Sequence, residues 1–317
     1  MAAEVYQIDV SVIIINYNSY ELTKETITTL KEFSKGFSFE IILIDNNSRD
    51  DSFAKLKKDF PEITFIRNSE NRGFGKANNQ GLKIAKGEFV LFLNNDVVFR
   101  ENSIKILLDY LRMKNEKTLI APRLLNRDGS VQFSTYSFQT LRLSFTTYFF
   151  LYALFPKSKY FNKSYLMNRG VNKITEVETV TGAFMLSKRD YLLELGGFDE
   201  DFFFYGEDND LCKRFRDSGG KIIYYPETVI THLKGGTKKS NWFSEKNATL
   251  SMLKLFDKHY SKVGRNLSYL MFFVGNFLRG GLGILSYFVT LRRQYVEDAK
   301  NKFKALKIIW SEFWQKS

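Results

Sequence analysis

Residues 10–18 read VSVIIINYN, and this stretch decides the expected fold. Val10–Ile15 is mostly β-branched and apolar, which is typical of a strand buried on both faces of a parallel sheet. The pattern returns at residues 40–48, EIILIDNNS, and at residues 88–96, EFVLFLNND. Each apolar run ends abruptly in a polar cluster. The sequence therefore predicts three buried strands, each followed by polar side chains.

Segments with helical spacing separate these strands, so strand and helix alternate over the first 100 residues. This is the pattern of an open, doubly wound α/β sheet. Helices are expected at residues 20–33, 51–60 and 75–85, and a further strand at 63–67. In the less regular part that follows, strands are expected at 177–186 and 221–225, and a helix is expected to begin at 206 and to run through 216.

The polar clusters follow the strands at the edge where ligands of such sheets bind. They are expected to converge, and they comprise Asn16-Tyr17-Asn18, Asp45-Asn46-Asn47 and Asn94-Asn95-Asp96. The carboxylate of Asp45 suits hydrogen bonds from a nucleobase or a ribose. Residues 71–75, NRGFG, precede a predicted helix, whose N-terminus favours phosphate. Turns and helix caps use the same residue types, so each cluster alone also fits a structural role.

Asn94-Asn95-Asp96 offers hard oxygen ligands, which suit Mg²⁺ or Mn²⁺. One carboxylate binds such an ion weakly, so a diphosphate and a distant residue would have to help. His232 is the candidate, and the Gly-Gly-Thr-Lys-Lys that begins at residue 235 suits a loop that closes over a diphosphate. A turn at residues 94–96 and a loop histidine without a ligand are the alternatives.

Glu207 and Asp208 are the candidate acid–base pair. Adjacent helical residues point in different directions, so one of the two is expected to face the site. Their place in the first helical turn favours the ionised form, which suits a general base. A charged helix start is the alternative. Asp210 and Arg214, at i and i+4, are expected to form a structural ion pair.

The positive charge is concentrated at the end of the sequence. The whole chain has 47 Lys and Arg against 35 Asp and Glu, a net charge of +12, and +8 of it falls after residue 252. Residues 267–291 are almost wholly apolar and predict either one membrane span or two short interfacial helices, and residues 300–314 are amphipathic. A basic, apolar segment favours a membrane surface over nucleic acid, for which no motif is found.

Two further features concern the compartment. A single cysteine, Cys212, excludes a disulfide framework and a cysteine-rich metal site. The first residues lack the basic and apolar regions of a signal peptide, so the catalytic part is expected at the cytoplasmic face of the membrane.

Together these motifs resemble glycosyltransferase family 2, which has the GT-A fold, and most resemble its rhamnosyltransferase-like branch, which builds bacterial surface polysaccharides. The resemblance covers residues 10–240 and rests on VSVIIINYN at 10–18, DNNSRD at 45–50, NRGFGKANNQG at 71–81, LFLNNDV at 91–97, VTGAFML at 180–186, GGFDEDFFFYGEDNDLCKR at 196–214 and THLKGGT at 231–237.

The resemblance implies an α/β fold, a Rossmann-like open mixed sheet of GT-A type flanked by helices. Residues 1–250 would form the catalytic domain, with a nucleotide-binding half at about 8–100 and an acceptor and base half at about 101–250. Residues 251–317 would form a C-terminal helical extension that associates with the membrane surface.

The resemblance also implies an inverting transfer from a nucleoside-diphosphate sugar, with dTDP-rhamnose as the expected donor, to a lipid-linked or glycan acceptor. Asp208 would be the general base, with Glu207 the second choice, and Asp96 and His232 would bind Mn²⁺ or Mg²⁺. Asn94 stands where the family has the first acid of its metal motif, which leaves Asp96 as the carboxylate ligand of that motif. Nucleotide-sugar contacts would come from Asn16, Tyr17, Asn18, Asp45, Asn47, Arg72, Gly73, Lys76, Asn78, Asn94 and Asn95, and acceptor or lid contacts from Gly182, Tyr205, Lys234 and Lys238.

Two other functions fit the sequence. The same fold serves enzymes that use UDP-hexose or UDP-N-acetylhexosamine donors, since the motifs define the donor type better than the sugar. A non-catalytic protein that binds sugar nucleotides is disfavoured, because a binder has no need of Asp208. The sequence does not predict the oligomeric state.

Overall fold

The computed structural model describes residues 6–158, 160–161, 172–233 and 241–316. These residues form two compact units. The first contains residues 6–138, 172–203 and 207–233, and the second contains residues 139–158, 160–161, 204–206 and 241–316. The domain boundary near residue 250 stays a prediction.

All of the described strands lie in the first unit. They are β1 Val10–Asn16, β2 Phe39–Asp45, β3 Thr64–Arg67, β4 Phe89–Leu93, β5 Val97–Val98, β6 Thr118–Leu125, β7 Val131–Gln132, β8 Thr135–Tyr136, β9 Thr175–Glu176, β10 Thr179–Val180, β11 Phe184–Lys188 and β12 Lys221–His232. The main sheet has the order β3-β2-β1-β4-β11-β6-β12-β5, with β7 beside β6 and β9 beside β12. Strands β3 to β4 in this order are parallel, whereas β11 is antiparallel to both neighbours. The expected open mixed sheet is confirmed.

The described helices are α1 Tyr20–Phe33, α2 Ser52–Asp59, α3 Gly73–Ile84, α4 Ser103–Lys114, α5 Leu141–Tyr148, α6 Leu151–Leu154, α7 Arg189–Glu194, α8 Glu207–Asp217, α9 Asn241–His259, α10 Lys262–Thr290 and α11 Arg293–Gln315. In the first unit, α1, α2 and α4 pack on one face of the sheet and α3, α7 and α8 pack on the other. Alternate residues of β1, β2 and β4 enter the two cores, which explains why these strands are apolar throughout.

Two expected strands differ from the structure. The single strand expected at 177–186 is wrong, because β10 and β11 are separated by a turn at residues 181–183. The amide of Gly182 donates to the Asp208 carboxylate and not to a neighbouring strand, so the chain turns between β10 and β11. The strand expected at 221–225 continues to His232, with a register shift between Tyr225 and Val229 that accommodates Pro226.

The second unit is helical. Leu253 and Phe256 of α9 form a small core with Tyr269 and Phe272 of α10 and Ile309 of α11. The expectation of two short helices within 267–291 is wrong, since α10 is one continuous helix of 29 residues. In the described part of the chain it is the one helix whose length and composition would allow it to cross a membrane.

Candidate functional site

Strands β1 and β2 end side by side, with Asn16 paired to Asp45. The side-chain amide nitrogen of Asn16 lies 2.9 Å from Asp45 Oδ2 and 3.0 Å from Ser48 Oγ. Thr23 Oγ1 donates to Asn16 Oδ1 at 2.9 Å, and the amide of Ser48 donates to Asp45 Oδ1 at 3.0 Å. Asn16 and Asp45 are fully buried. Asn16 therefore holds Asp45 in place and does not present a free polar group.

Asn46 connects this corner to the start of α3. Its amide donates to Gly73 O at 3.0 Å, and its Oδ1 accepts from the amide of Arg72 at 3.0 Å. Gly73 has a φ of +79°, and a Cβ there would lie 2.4 Å from Phe203 O. Only glycine fits this close approach. The loop before α3 is thus fixed against β2.

The other predicted nucleotide contacts divide by exposure. Arg72 and Lys76 are exposed, whereas Tyr17, Asn18 and Asn47 are partly exposed. Asn18 and Asn47 have φ values of 50° and 66°, which asparagine tolerates better than most residues. Asn78 is 1% exposed, and its amide donates back to Phe74 O within α3. Its side chain therefore has a structural role in this conformation.

Strand β4 leads into the candidate metal pair. Asn95 donates to Thr23 Oγ1 at 2.9 Å, which ties this turn to Asn16. His232, the last residue of β12, pairs with Val97 of β5. Its Nε2 lies 3.2 Å from Asp96 Oδ1 and 3.4 Å from the Asn94 amide nitrogen. The structure thus brings Asp96 and His232 together, as predicted.

Gln132 determines which ring nitrogen of His232 carries the proton. Its amide nitrogen lies 2.8 Å from Asn126 Oδ1 and 3.3 Å from His232 O, so its Oε1 faces the ring. That oxygen lies 2.6 Å from His232 Nδ1, which must therefore donate. Nε2 is therefore the ring nitrogen that faces Asp96 and that could bind a cation, while Gln132 orients the ring through Nδ1.

These residues fit a divalent cation. A carboxylate oxygen and an imidazole nitrogen 3.2 Å apart can bind one ion, since metal–ligand distances are about 2.1 Å. Among the described residues, no group of three or more His, Cys, Asp or Glu side chains forms a complete metal site. The described residues therefore contribute two candidate ligands, and an ion held by them would need further oxygen ligands.

We expect Gln132→Leu to weaken Mn²⁺ binding by about 10–100-fold, because the ring of His232 loses the partner that orients it. Titration of Mn²⁺ by electron paramagnetic resonance would measure the change. Gln132→Glu keeps an acceptor for Nδ1 and should restore binding. Equal affinities for wild type and Gln132→Leu would contradict the orienting role.

Asp208 lies beside the turn between β10 and β11. The amide of Gly182 donates to Asp208 Oδ2 at 3.2 Å, and a Cβ at Gly182 would lie 3.8 Å from Asp208 Cβ. The next residue, Ala183, accepts at its carbonyl from the amide of Asn94 at 3.1 Å. A short chain of contacts therefore connects the candidate base to the candidate metal pair.

Burial raises the pKa of Asp208, and hydrogen bonds from the amides of Asn209 and Gly182 oppose the shift. The direction of this shift is opposite to the effect expected from the helix start, because desolvation disfavours the charged form. Burial, followed by the charge of Asp208, also raises the pKa of Tyr136, which places this phenol in the field of the carboxylate.

The remaining predicted residues lie in three places. Glu207 is 8% exposed at the start of α8. Tyr205 belongs to the second unit, where it has a φ of 72° and its ring contacts Phe204. Lys234 and Lys238 lie outside the described residues.

Arg214 secures α8. It donates to buried Asp210 at 2.7 Å, which is the predicted structural ion pair. It also donates to the carbonyls of Leu195 and Gly197. We expect Arg214→Met to lower the free energy of unfolding by about 3–5 kcal/mol, because it leaves the Asp210 charge buried without this cation. Urea denaturation would measure it.

Lys213→Met is the matched control, because the pair of Lys213 with Asp217 is on the exposed side of the same helix. It should change stability by about 0.5 kcal/mol or less. Similar losses for the two variants would contradict the structural role of Arg214.

A family model described as glycosyl transferase family 2 matches residues 11–195, more than half of the chain. The chain belongs to glycosyl transferase family 2. A second model, described as the N-terminal domain of galactosyltransferase, matches residues 169–235 of this glycosyltransferase.

Curated relatives of this glycosyltransferase include two rhamnosyltransferases. The chain is 27% identical over 205 residues to N-acetylglucosaminyl-diphospho-decaprenol L-rhamnosyltransferase of Mycobacterium tuberculosis, covering 61% of this chain and 66% of that protein, just under two thirds of its length. It is 24% identical over 232 residues to rhamnosyltransferase WbbL of Escherichia coli strain K12, covering 70% and 83%.

Two solved structures share the fold. GalNAc-T7 with UDP, GalNAc and Mn²⁺ has a TM-score of 0.54 and 15% identity, covering 73% of this chain and 45% of that chain. Residues 1–349 of Staphylococcus aureus TarS have a TM-score of 0.52 and 15% identity, covering 98% and 92%. The expected GT-A type fold is confirmed.

Proposed function

We propose that this glycosyltransferase moves a sugar, with rhamnose as the first candidate, from a nucleoside-diphosphate donor to a lipid-linked or glycan acceptor with inversion. The observation that carries the proposal is the chain of contacts from Asp208 through Gly182 and Ala183 to Asn94 and His232. This chain of contacts supports one shared site for a base at Asp208 and a cation at Asp96 and His232. The named activities of the two rhamnosyltransferase relatives support the choice of sugar.

The nucleotide is proposed to lie over the ends of β1 and β2. The partly exposed Tyr17, Asn18 and Asn47 would contact the nucleoside, and buried Asp45 would hold the ends of β1 and β2 together beneath it. Exposed Arg72 and Lys76, at the start of α3, would contact phosphates, since a helix N-terminus and two cations attract an anion. Asn16, Asn46 and Asn78 would act as supports for these groups.

Asp208 would remove the proton from an acceptor hydroxyl. The acceptor oxygen forms a bond to the anomeric carbon while the bond from that carbon to the diphosphate oxygen breaks, and the nucleoside diphosphate leaves with the electron pair. A raised pKa makes the carboxylate a stronger base than an ordinary aspartate, which favours this role. Mn²⁺ or Mg²⁺ at Asp96 and His232 would stabilise the negative charge that grows on the leaving diphosphate.

The acceptor is proposed to reach the enzyme from the cytoplasmic face of a membrane. The second unit exposes large apolar side chains on α10, and the last part of the sequence is basic. Both features suit a protein that works on a lipid-linked acceptor at an anionic surface.

A donor panel tests the proposal. Nucleotide release would be measured with dTDP-rhamnose, UDP-glucose, UDP-galactose and UDP-N-acetylglucosamine, with and without Mn²⁺, and with a membrane lipid extract as acceptor. We expect metal-dependent release from one donor, with dTDP-rhamnose the first candidate. Release from a UDP-sugar alone would replace rhamnose by that sugar. No release and no nucleotide-dependent shift in Tm would contradict donor binding itself.

A further inference from the structure

Helix α10 exposes a continuous apolar stripe, defined here by Leu270, Phe277, Leu282, Leu285, Phe288 and Val289, which are 47–84% exposed. From Leu270 to Val289 the stripe is about 28 Å long at about 1.5 Å per residue. The opposite face of α10, which includes Ser268, Phe272 and Asn276, is buried. An exposed apolar area of this length marks an interaction surface.

The one charged side chain within residues 266–291 points away from the stripe. Arg279 is the one charged residue between 266 and 291. Its guanidinium donates to the carbonyls of Thr147 and Tyr148 at the end of α5 and lies 4.6 Å from the centroid of the Phe150 ring. The carbonyls at a helix C-terminus and an aromatic face stabilise this cation. The stripe itself therefore stays uncharged over its whole length.

Helix α11 folds back along α10 and sets lysines level with the middle of α10. A Cβ at Gly280 would lie 2.8 Å from the Phe303 ring, and a Cβ at Gly283 would lie 3.1 Å from Ala299 Cβ. Residues 299–303 of α11 are thus level with residues 280–283 of α10. Lys300 and Lys304, both exposed, lie at this level.

This packing opposes a transmembrane path for α10. If α10 crossed a bilayer, Arg279, Lys300 and Lys304 would lie near its midplane, where each charged residue is strongly disfavoured. If α10 lies along the surface, the stripe enters the acyl region while the lysines stay among the headgroups. Trp310 and Trp314 are 57% and 59% exposed on α11, and tryptophan favours this boundary.

We infer that α10 lies flat on an anionic bilayer, with the stripe inserted and both ends of the helix on the same side. The inference deepens the membrane association proposed above and rests on it. Residues 262–316 contain 10 Lys and Arg and 3 Asp and Glu. That net positive charge attracts anionic lipid and repels a second copy of the chain, so lipid is the occupant that the charge favours.

Vesicle binding tests the stripe in the full-length protein. Truncation before α10 would expose buried Leu253 and Phe256, so surface substitutions serve better. Flotation with vesicles of phosphatidylcholine and phosphatidylglycerol should show at least about tenfold weaker binding for Leu285→Glu, since a carboxylate opposes insertion. Met113→Glu is the matched control, because Met113 is 70% exposed on α4 of the first unit.

The outcomes are distinct. Binding that needs phosphatidylglycerol and is lost in Leu285→Glu alone supports the inference. Equal binding of Leu285→Glu and Met113→Glu would overturn it, and so would wild-type dimers that dissociate in Leu285→Glu without any vesicle binding.

Cysteine labelling tests the orientation. Lys262→Cys and Gln294→Cys, made singly, mark the two ends of α10 at exposed positions. Native Cys212 is buried, and burial raises the pKa of its thiol to about 12, so the wild type serves as the unlabelled control. With a membrane-impermeant maleimide, both variants should react in inside-out vesicles and neither in right-side-out vesicles.

Labelling of one end from each side would mean that α10 spans the bilayer and would overturn the inference. Nucleotide release measured in the same vesicles separates this result from the proposed function. Nucleotide release together with labelling of the two ends from opposite sides refutes the flat helix alone. Normal vesicle binding without nucleotide release refutes the transferase proposal alone.

Discussion

Replacing Asp208 by Asn is expected to lower kcat by about 10²–10⁴-fold, because the variant cannot accept the proton of the acceptor hydroxyl. Binding of the nucleotide should be unchanged, since the side chain is nearly isosteric and the nucleoside and phosphate contacts proposed above lie at the ends of β1 and β2 and at the start of α3. Steady-state nucleotide release and a nucleotide-dependent shift in Tm would measure the two effects.

The same substitution is expected to stabilise the fold. Burial raises the pKa of Asp208 above its ordinary value, so the folded protein binds a proton there more tightly than the unfolded chain. Stability from this group is therefore lost as the pH rises through the window above 3.8 and is regained as the pH falls. At neutral pH, Asp208→Asn should raise Tm while it lowers kcat. A variant that loses both stability and activity would indicate a structural role.

The pH profile gives a further check on Asp208. A base must be deprotonated, so kcat/KM of the wild type should fall as the pH decreases through the raised pKa of this carboxyl. Asp217→Asn, the same chemical change at the other end of α8, is the matched control and should keep the wild-type profile. A profile that survives in Asp208→Asn would move the base to Glu207 or elsewhere.

Replacing Asp96 by Ala is expected to lower metal-dependent turnover by about 10²–10³-fold, because charge on the leaving diphosphate loses stabilisation of several kcal/mol. His232→Ala should act in the same direction. The two side chains lie 3.2 Å apart and would bind one ion. Their effects on turnover should therefore be non-additive, and the double variant should have about the turnover of the less active single variant.

His259→Ala is the control for the histidine, because His259 lies at the end of α9 in the second unit. It should leave turnover and its dependence on Mn²⁺ unchanged. Additive losses from Asp96→Ala and His232→Ala, or turnover by either variant that still rises with Mn²⁺ as in wild type, would contradict a shared cation.

The convergence of the polar clusters after β1 and β2 could be predicted because it depends on local pattern and on sheet geometry. Asn16 and Asp45 end neighbouring parallel strands, and parallel strands present their carboxyl ends at one edge. The apolar runs of β1, β2 and β4, each followed by polar residues, were sufficient to predict which side chains lie at that edge. The sequence did not show that Asn16 and Asn78 are consumed by internal hydrogen bonds, since that depends on three-dimensional packing.

The contact of Gln132 with His232 of the candidate metal pair could not be predicted. Gln132 belongs to a two-residue strand in an irregular stretch, 100 residues from His232. Its role arises from the pairing of β7 with β6, which sets its side chain beside the last residue of β12. A lone glutamine has no sequence signal for such a role.

Glycines have two different structural roles in this chain, which the sequence alone does not distinguish. Gly182 breaks the strand expected at 177–186, because its amide turns to Asp208. Gly280 and Gly283 do not break α10, because each makes room for a residue of α11. Whether a glycine forms a turn or a close helix contact depends on the neighbour, which the local pattern does not contain.

The most direct test of the account is transfer itself. Wild type and Asp208→Asn would be incubated with radiolabelled dTDP-rhamnose, Mn²⁺ and a membrane lipid extract, and the organic-soluble label and the released dTDP would be measured together. We predict equal amounts of both products for wild type and a loss of both in the variant. Release of dTDP without organic-soluble label, or equal transfer by the two proteins, would contradict the proposed reaction.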